Sequence, residues 1–151
     1  MPNETQNILL IKGNKKTIEE FINKHVVNPE EDSSMLWWNF DETCKIIDID
    51  NDDELMEKWG TCRNAIYTKL TDNSILLETA WSPCNEWLKN IYLDYPNLSF
   101  LLYFYDEFSE EFYGHVLINY GNLVNTLMEK LDNTYDLDTY ILNLKNQFNN
   151  F

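Results

Sequence analysis

The chain predicts an α+β fold, an antiparallel sheet covered on one face by helices. Three observations lead there. Apolar or aromatic runs of four to eight residues alternate with amphipathic stretches at helical spacing. Two pairs of those runs, 65–70 with 75–81 and 98–105 with 112–119, are separated by short polar turns, the mark of hairpins rather than parallel crossovers. Finally, 151 residues that are 44% hydrophobic and 15% aromatic carry enough apolar surface for one core and too much for a disordered chain.

Taken in order, residues 7–11 form a short apolar run ended by Gly13, which suits an inner, central strand with a turn after it. Thr17-Ile18-Glu19-Glu20 has the capping-box pattern, in which Thr and Glu side chains satisfy free amides at a helix start. Ile18, Phe21, Ile22 and His25 or Val26 follow at helical spacing and should lay one stripe on the sheet. Pro29 ends that helix. Residues 36–40 read as a second strand and 45–49 as a short extended piece. Asp52-Asp53-Glu54 would open a short helix carrying Leu55, Met56 and Trp59, since the helix dipole favours negative charge there; Gly60 is placed to stop it.

The first hairpin turns at Thr71-Asp72-Asn73-Ser74, residue types that tolerate turn conformations. Ser82-Pro83 then supplies a cap and a first-turn proline for a helix whose buried stripe is Cys84, Trp87, Leu88, Ile91 and Tyr92, ended by Tyr95-Pro96. The second hairpin closes over residues 106–111. Beyond Gly121, Leu123, Val124, Leu127, Met128 and Leu131, then Leu137, Tyr140, Ile141, Leu144 and Phe148, recur at helical spacing. They predict a domain over residues 1–121 and a helical pair over 122–151 packed on it.

A series of motifs runs through the middle of the chain: Trp59-Gly60-Thr61, Arg63-Asn64-Ala65, Thr79-Ala80-Trp81-Ser82-Pro83 and Tyr105-x-Glu107-x4-Phe112-x-Gly114. With Met1-Pro2-Asn3, Asn7 and Gly13, this series resembles the YubB ferredoxin-like family, small proteins of phages, plasmids and prophages. The resemblance implies a ferredoxin-like sheet. It implies no activity, because the family's biochemical role is largely unassigned. Three departures weigh against a shared ligand: Ile46-Ile47-Asp48-Ile49-Asp50 stands where a proline-containing turn is common, Cys84 replaces a frequent second proline, and Thr61-Cys62-Arg63 replaces a Thr-Lys-Trp type of run.

Charge sets the functional expectations. Eleven Lys and Arg against 26 Asp and Glu leave a net −15, a surface that repels phosphate, so direct nucleic-acid binding and an anionic membrane are disfavoured. A basic protein partner is favoured. Cys44, Cys62 and Cys84 cannot all pair and lack Cys-x-x-Cys spacing, which reads as reduced thiols in a cytoplasmic setting of a bacterial host. No basic-then-apolar leader and no span-length apolar run is visible, so neither export nor membrane embedding is expected.

No recognised enzyme site or cofactor motif is written in the chain. Ala80-Trp81-Ser82-Pro83-Cys84 before a helix imitates a redox turn, but dithiol exchange needs two cysteines. Asp48-x-Asp50-x-Asp52 begins like a calcium loop, yet Asp53 and Trp59 fill the places of its Gly and bidentate Glu, which leaves open only weak binding of a divalent cation. His25 and His115 stand far apart in sequence, without zinc-ligand spacing.

Two functional expectations remain. Between residues 30 and 57 lie Glu30, Glu31, Asp32, Asp41, Glu42, Asp48, Asp50, Asp52, Asp53, Glu54 and Glu57 against Lys45 alone, a net −10 of the chain's −15. Gathered on one side, they would fit a basic groove built for phosphates on a host nuclease or defence complex, as an anti-CRISPR-like nucleic-acid mimic, with Trp37 or Trp38 as anchors. Alternatively, Trp59, Arg63, Asn64, Thr79, Trp81 and Glu107 would line a small-molecule or nucleotide pocket, unless they serve only as structure. The surplus of aromatics also permits a homodimer.

Overall fold

The computed structural model describes residues 4–28, 34–106, 112–130 and 136–151. The elements run β1 (Glu4–Lys12), α1 (Lys15–His25), β2 (Val26–Val27), β3 (Leu36–Trp38), α2 (Asp52–Lys58), β4 (Ala65–Thr71), β5 (Ser74–Ala80), α3 (Asn85–Ile91), β6 (Ser99–Asp106), β7 (Phe112–Asn119), β8 (Asn122–Lys130) and α4 (Leu137–Asn149). The strands form one eight-stranded sheet in the order β2-β3-β4-β5-β1-β6-β7-β8. Every neighbouring pair is antiparallel. This is the expected α+β architecture with β1 inside the sheet.

β1 alternates strictly between buried and half-buried positions, so its two faces have different neighbours. Leu9 and Ile11 face the main core, formed with Ile18, Phe21 and Ile22 of α1, Trp87, Leu88 and Ile91 of α3, and the inner residues of β5, β6 and β7. Ile8 and Leu10 face the other way. There they join Leu101, Tyr103 and Leu117 under Leu144 and Phe148 of α4. Helices therefore cover both faces of the sheet, not one. The near-continuous burial of β6 follows from that sandwiching. Lys12 ties down the C-terminal end of α4, donating to the carbonyls of Asn149 (3.1 Å) and Phe151 (2.5 Å).

Four local expectations are corrected. Helix α1 starts one turn before the capping box, because Asn14 accepts from the Lys16 amide at 2.9 Å and is the cap. Residues 45–49 form no strand; their amides are drawn to carboxylates instead. Cys84, not Ser82, stands at the N-cap of α3, and its amide donates to Asn7 Oδ1 at 3.1 Å. The helix expected over Leu123 to Met128 is β8. Tyr120 (φ 41°) and Gly121 (φ 81°) both adopt left-handed backbone, the two-residue turn whose twist matches a hairpin, and β8 pairs with β7 from Asn119–Asn122 to Phe112–Lys130. Residues 122–130 thus continue the sheet, and one helix, α4, follows. No helix among the described residues is long and apolar enough to cross a membrane.

Candidate functional site

The acidic residues that can be placed share one lobe, made of the 3-10 turn Phe40–Glu42, the loop after it, and α2. Glu30, Glu31 and Asp32 lie outside the described residues. The lobe is built around one carboxylate. Glu54 accepts from the amides of Ile47 (2.9 Å) and Asp48 (2.8 Å) and from Lys58 Nζ (2.9 Å), and these bonds hold it down at about 2. Asp41 accepts from the Ile46 amide at 2.9 Å and lies 3.7 Å from Lys45 Nζ. Asp48 turns the chain by accepting from the Asp50 amide at 3.0 Å.

Beneath this polar frame the lobe is pinned to the core. Trp59, fully buried, donates its indole N–H to the Cys44 carbonyl at 2.8 Å and packs on Phe40 at 5.4 Å. Asn64 Oδ1 takes the Phe40 amide at 2.9 Å. The Thr43 hydroxyl donates to His25 Nε2 (2.9 Å) while its oxygen accepts from Trp87 Nε1 (3.1 Å). Outside, Glu42, Asp48, Asp50, Asp52, Asp53 and Glu57 are exposed. Between them protrude Ile47, 92% exposed, and Ile49, 60% exposed. The apolar anchors of the lobe are thus isoleucines rather than Trp38, which is fully buried and stacked on His25 at 4.5 Å.

The six residues proposed for a pocket separate. Arg63, Asn64 and Thr79 do line one depression, of about 70 Å³, together with Glu4, Trp37, Ile66, Glu78 and Ala80. Trp59 belongs to the core. Trp81 is 62% exposed beside that depression in the chain, at φ 69°, and does not line it. Glu107 lies outside the described residues. The lining carboxylates come from strand register, since Glu78 of β5 is flanked by Gln6 of β1 and Ile66 of β4. Burial first, and then the hydrogen bond with Glu4, push Glu78 above the ordinary carboxylate range.

Several motif residues hold the scaffold. Asn7, fully buried, donates through Nδ2 to the carbonyls of Thr5 (3.1 Å) and Leu77 (2.9 Å) and to Thr79 Oγ1 (2.9 Å), and so joins β1, β5 and the start of α3. Thr79 donates onward to the Ser82 carbonyl at 2.6 Å. Gly114 is required by close approach: a Cβ there would lie 2.0 Å from the Leu127 carbonyl oxygen and 2.6 Å from the ring of Phe104. All three thiols are pushed up by burial, Cys84 the furthest, which keeps them protonated and poorly nucleophilic. His115 sits under α4, donating from Nε2 to Asn125 Oδ1 at 2.5 Å and accepting from Tyr140 at Nδ1. Among the described residues, no three His, Cys, Asp or Glu side chains converge to hold a metal ion.

Comparison with curated proteins and with solved structures finds no match. Residues 57–149, from the end of α2 through α4, match the family described as the ferredoxin-like domain in Api92-like protein, and the chain belongs to that family.

Proposed function

We propose that this chain is a non-enzymatic interaction module of the YubB type, carried by a phage or other mobile element, that binds a basic surface on a host nucleic-acid-processing protein. In this reading it acts as an anti-CRISPR-like inhibitor, its carboxylates occupying the place of phosphates. The supporting observation is the acidic lobe. Six exposed carboxylates sit on a framework fixed by Glu54, Trp59 and Asn64, so little ordering entropy opposes their docking. Exposed Ile47 and Ile49 add apolar contact that charge alone does not provide.

The test is inhibition of purified bacterial nucleases, CRISPR effectors included, at 50 and 500 mM salt, by the parent and by the variant Asp48→Lys, Asp50→Lys, Asp52→Lys, Asp53→Lys. Salt-sensitive inhibition that falls at least tenfold in the variant is expected, because the variant reverses four of the six exposed charges. Inhibition equal in both proteins, or of no enzyme, would remove the reading.

A second reading rests on the depression lined by Arg63, Asn64 and Thr79 as a small-molecule or nucleotide site. Size and charge place it second. Its 70 Å³ is well below the roughly 300 Å³ of ordinary ligand pockets, and Glu4 and Glu78 oppose a phosphate. A rise in melting temperature with a nucleotide, abolished by Arg63→Ala, would reverse that order.

A further inference from the structure

The two edges of the sheet are built differently. One ends in β2, only two residues long, the usual device for blunting an edge. The other ends in β8, nine residues long, with no proline, with its one lysine at the last position, and with a single bulge that leaves Val124 without a partner residue on β7. Roughly half of the backbone N–H and C=O groups of an edge strand point away from its partner, so among the described residues β8 offers an unpaired outer side. Its side chains are open as well: Leu123, Val124 and Met128 are 41%, 46% and 50% exposed. Leu123 pairs with Ile118, Thr126 with Val116 and Met128 with Gly114, which places Leu123, Thr126 and Met128 on one face of the sheet.

Charge decides the occupant. The most highly charged feature of this surface, the acidic lobe, calls for a basic partner, but residues 119–130 carry only Glu129 and Lys130, a local net of zero. The acidic lobe joins the sheet at Asn64, before β4, and β4 lies five strands from β8. That attachment is about 24 Å from β8 along the sheet at the usual ~4.8 Å spacing, while α2 itself leans on α3, which packs on β7. Along β8 itself a second copy meets no surplus of like charge despite the net −15.

The strand is also compatible with itself. Antiparallel pairing about a two-fold axis at Thr126 sets Val124 against Met128 with no like charges opposed, and the bulge at Val124 ends the regular ladder on that side. We propose that β8 is a dimer seam, at which two copies of this chain pair along Val124–Met128 and extend the sheet from eight strands to sixteen.

Light scattering and sedimentation equilibrium at about 100 μM chain and 150 mM salt test the seam. The expected mass is twice the 18.1 kDa of the chain. The surface variant Val124→Lys, Met128→Lys should return a monomer with an unchanged circular dichroism spectrum. A Thr126→Cys variant should cross-link to itself under mild oxidation, with the 126–126 peptide identified by mass spectrometry, whereas Asn122→Cys should not. A monomeric parent overturns the proposal and leaves the edge to a strand of another protein. So does a dimer that survives the lysine pair, which would place the interface elsewhere. These outcomes do not depend on nuclease inhibition, so the seam and the acidic lobe stand or fall separately.

Discussion

Lowering the pH from 7 to 5 should weaken this fold through one side chain, His25. The ring is fully buried, 4.7 Å from Phe21, stacked on Trp38 and edge-on to Trp87 at 5.5 Å. Its Nδ1–H donates to the Phe21 carbonyl at 2.7 Å and its Nε2 accepts the Thr43 hydroxyl, so the neutral tautomer is satisfied at both nitrogens. Desolvation is the main cause that lowers its pKa from 6.5 to about 4; the Phe21 bond opposes the shift in part, and Lys24 adds to it.

Because the folded value lies below the unfolded one, the unfolded chain takes up the proton first as pH falls. The His25 contribution to stability is then level above about pH 6.5, declines through the window down to about 4, and levels off below it. With these two values the loss is about 2 kcal/mol between pH 7 and pH 5, and about 3 kcal/mol once the window is passed. That is a large share of the roughly 5–15 kcal/mol that holds a domain together.

Urea unfolding of the parent and of His25→Gln at both pH values measures the effect. The parent should lose about 2 kcal/mol more than the variant over that step, whatever the variant's own stability at pH 7. The paired comparison also cancels relief of carboxylate repulsion and the titration of His115, which burial likewise lowers. Identical pH slopes in the two proteins would refute the assignment of a neutral, proton-resisting His25.

Three further outcomes follow from the scaffold. Glu54→Gln should loosen the loop at residues 46–48, read as faster proteolysis there at pH 7; in the parent the contribution of Glu54 is present above about pH 4.5 and disappears as pH falls towards 2, because its folded pKa is the depressed one. Gly114→Ala should lower stability by about 1–3 kcal/mol in thermal or urea unfolding, since neither the Leu127 carbonyl nor the Phe104 ring has room to move aside easily. Asn7→Leu should lower it by about 2–3 kcal/mol, read from the urea midpoint at unchanged slope, because the Cys84 amide and the Thr5 and Leu77 carbonyls lose a buried partner.

Much of the architecture was legible because local chemistry and tertiary need coincide. Thr71-Asp72-Asn73-Ser74 marks its turn, the α3 stripe points at the core, and Gly60 (φ 84°) closes α2 as its position suggests. Residues 122–130 misled for a physical reason. An edge strand open on both faces needs no alternation, and Leu123, Val124, Leu127 and Met128 fall by accident at helical spacing. The readable signal was Asn119-Tyr120-Gly121-Asn122, a two-residue hairpin turn. The second covered face was also encoded, in the unbroken apolar run of β6. The depression was not. Glu4, Trp37 and Glu78 meet Arg63 only through register across four strands, which no local pattern carries.

The acidic segment was visible as charge but not as structure. Counting carboxylates cannot separate Glu54, which binds two amides and a lysine, from Asp52 or Asp53, which face water in the same first turn of the helix. The distinction changes what the lobe can do. A flexible acidic loop would lose conformational freedom on meeting a basic groove, and its attraction would be spent largely on that ordering. Here the Glu54 bonds, the Trp59 indole, the Asn64 cap and the Thr43–His25 contact have already ordered the backbone beneath the charges. Removing Glu54 should therefore weaken a basic partner more than removing one exposed carboxylate, although Glu54 itself is largely covered. That inversion separates a preformed interaction surface from an acidic coat that serves solubility alone.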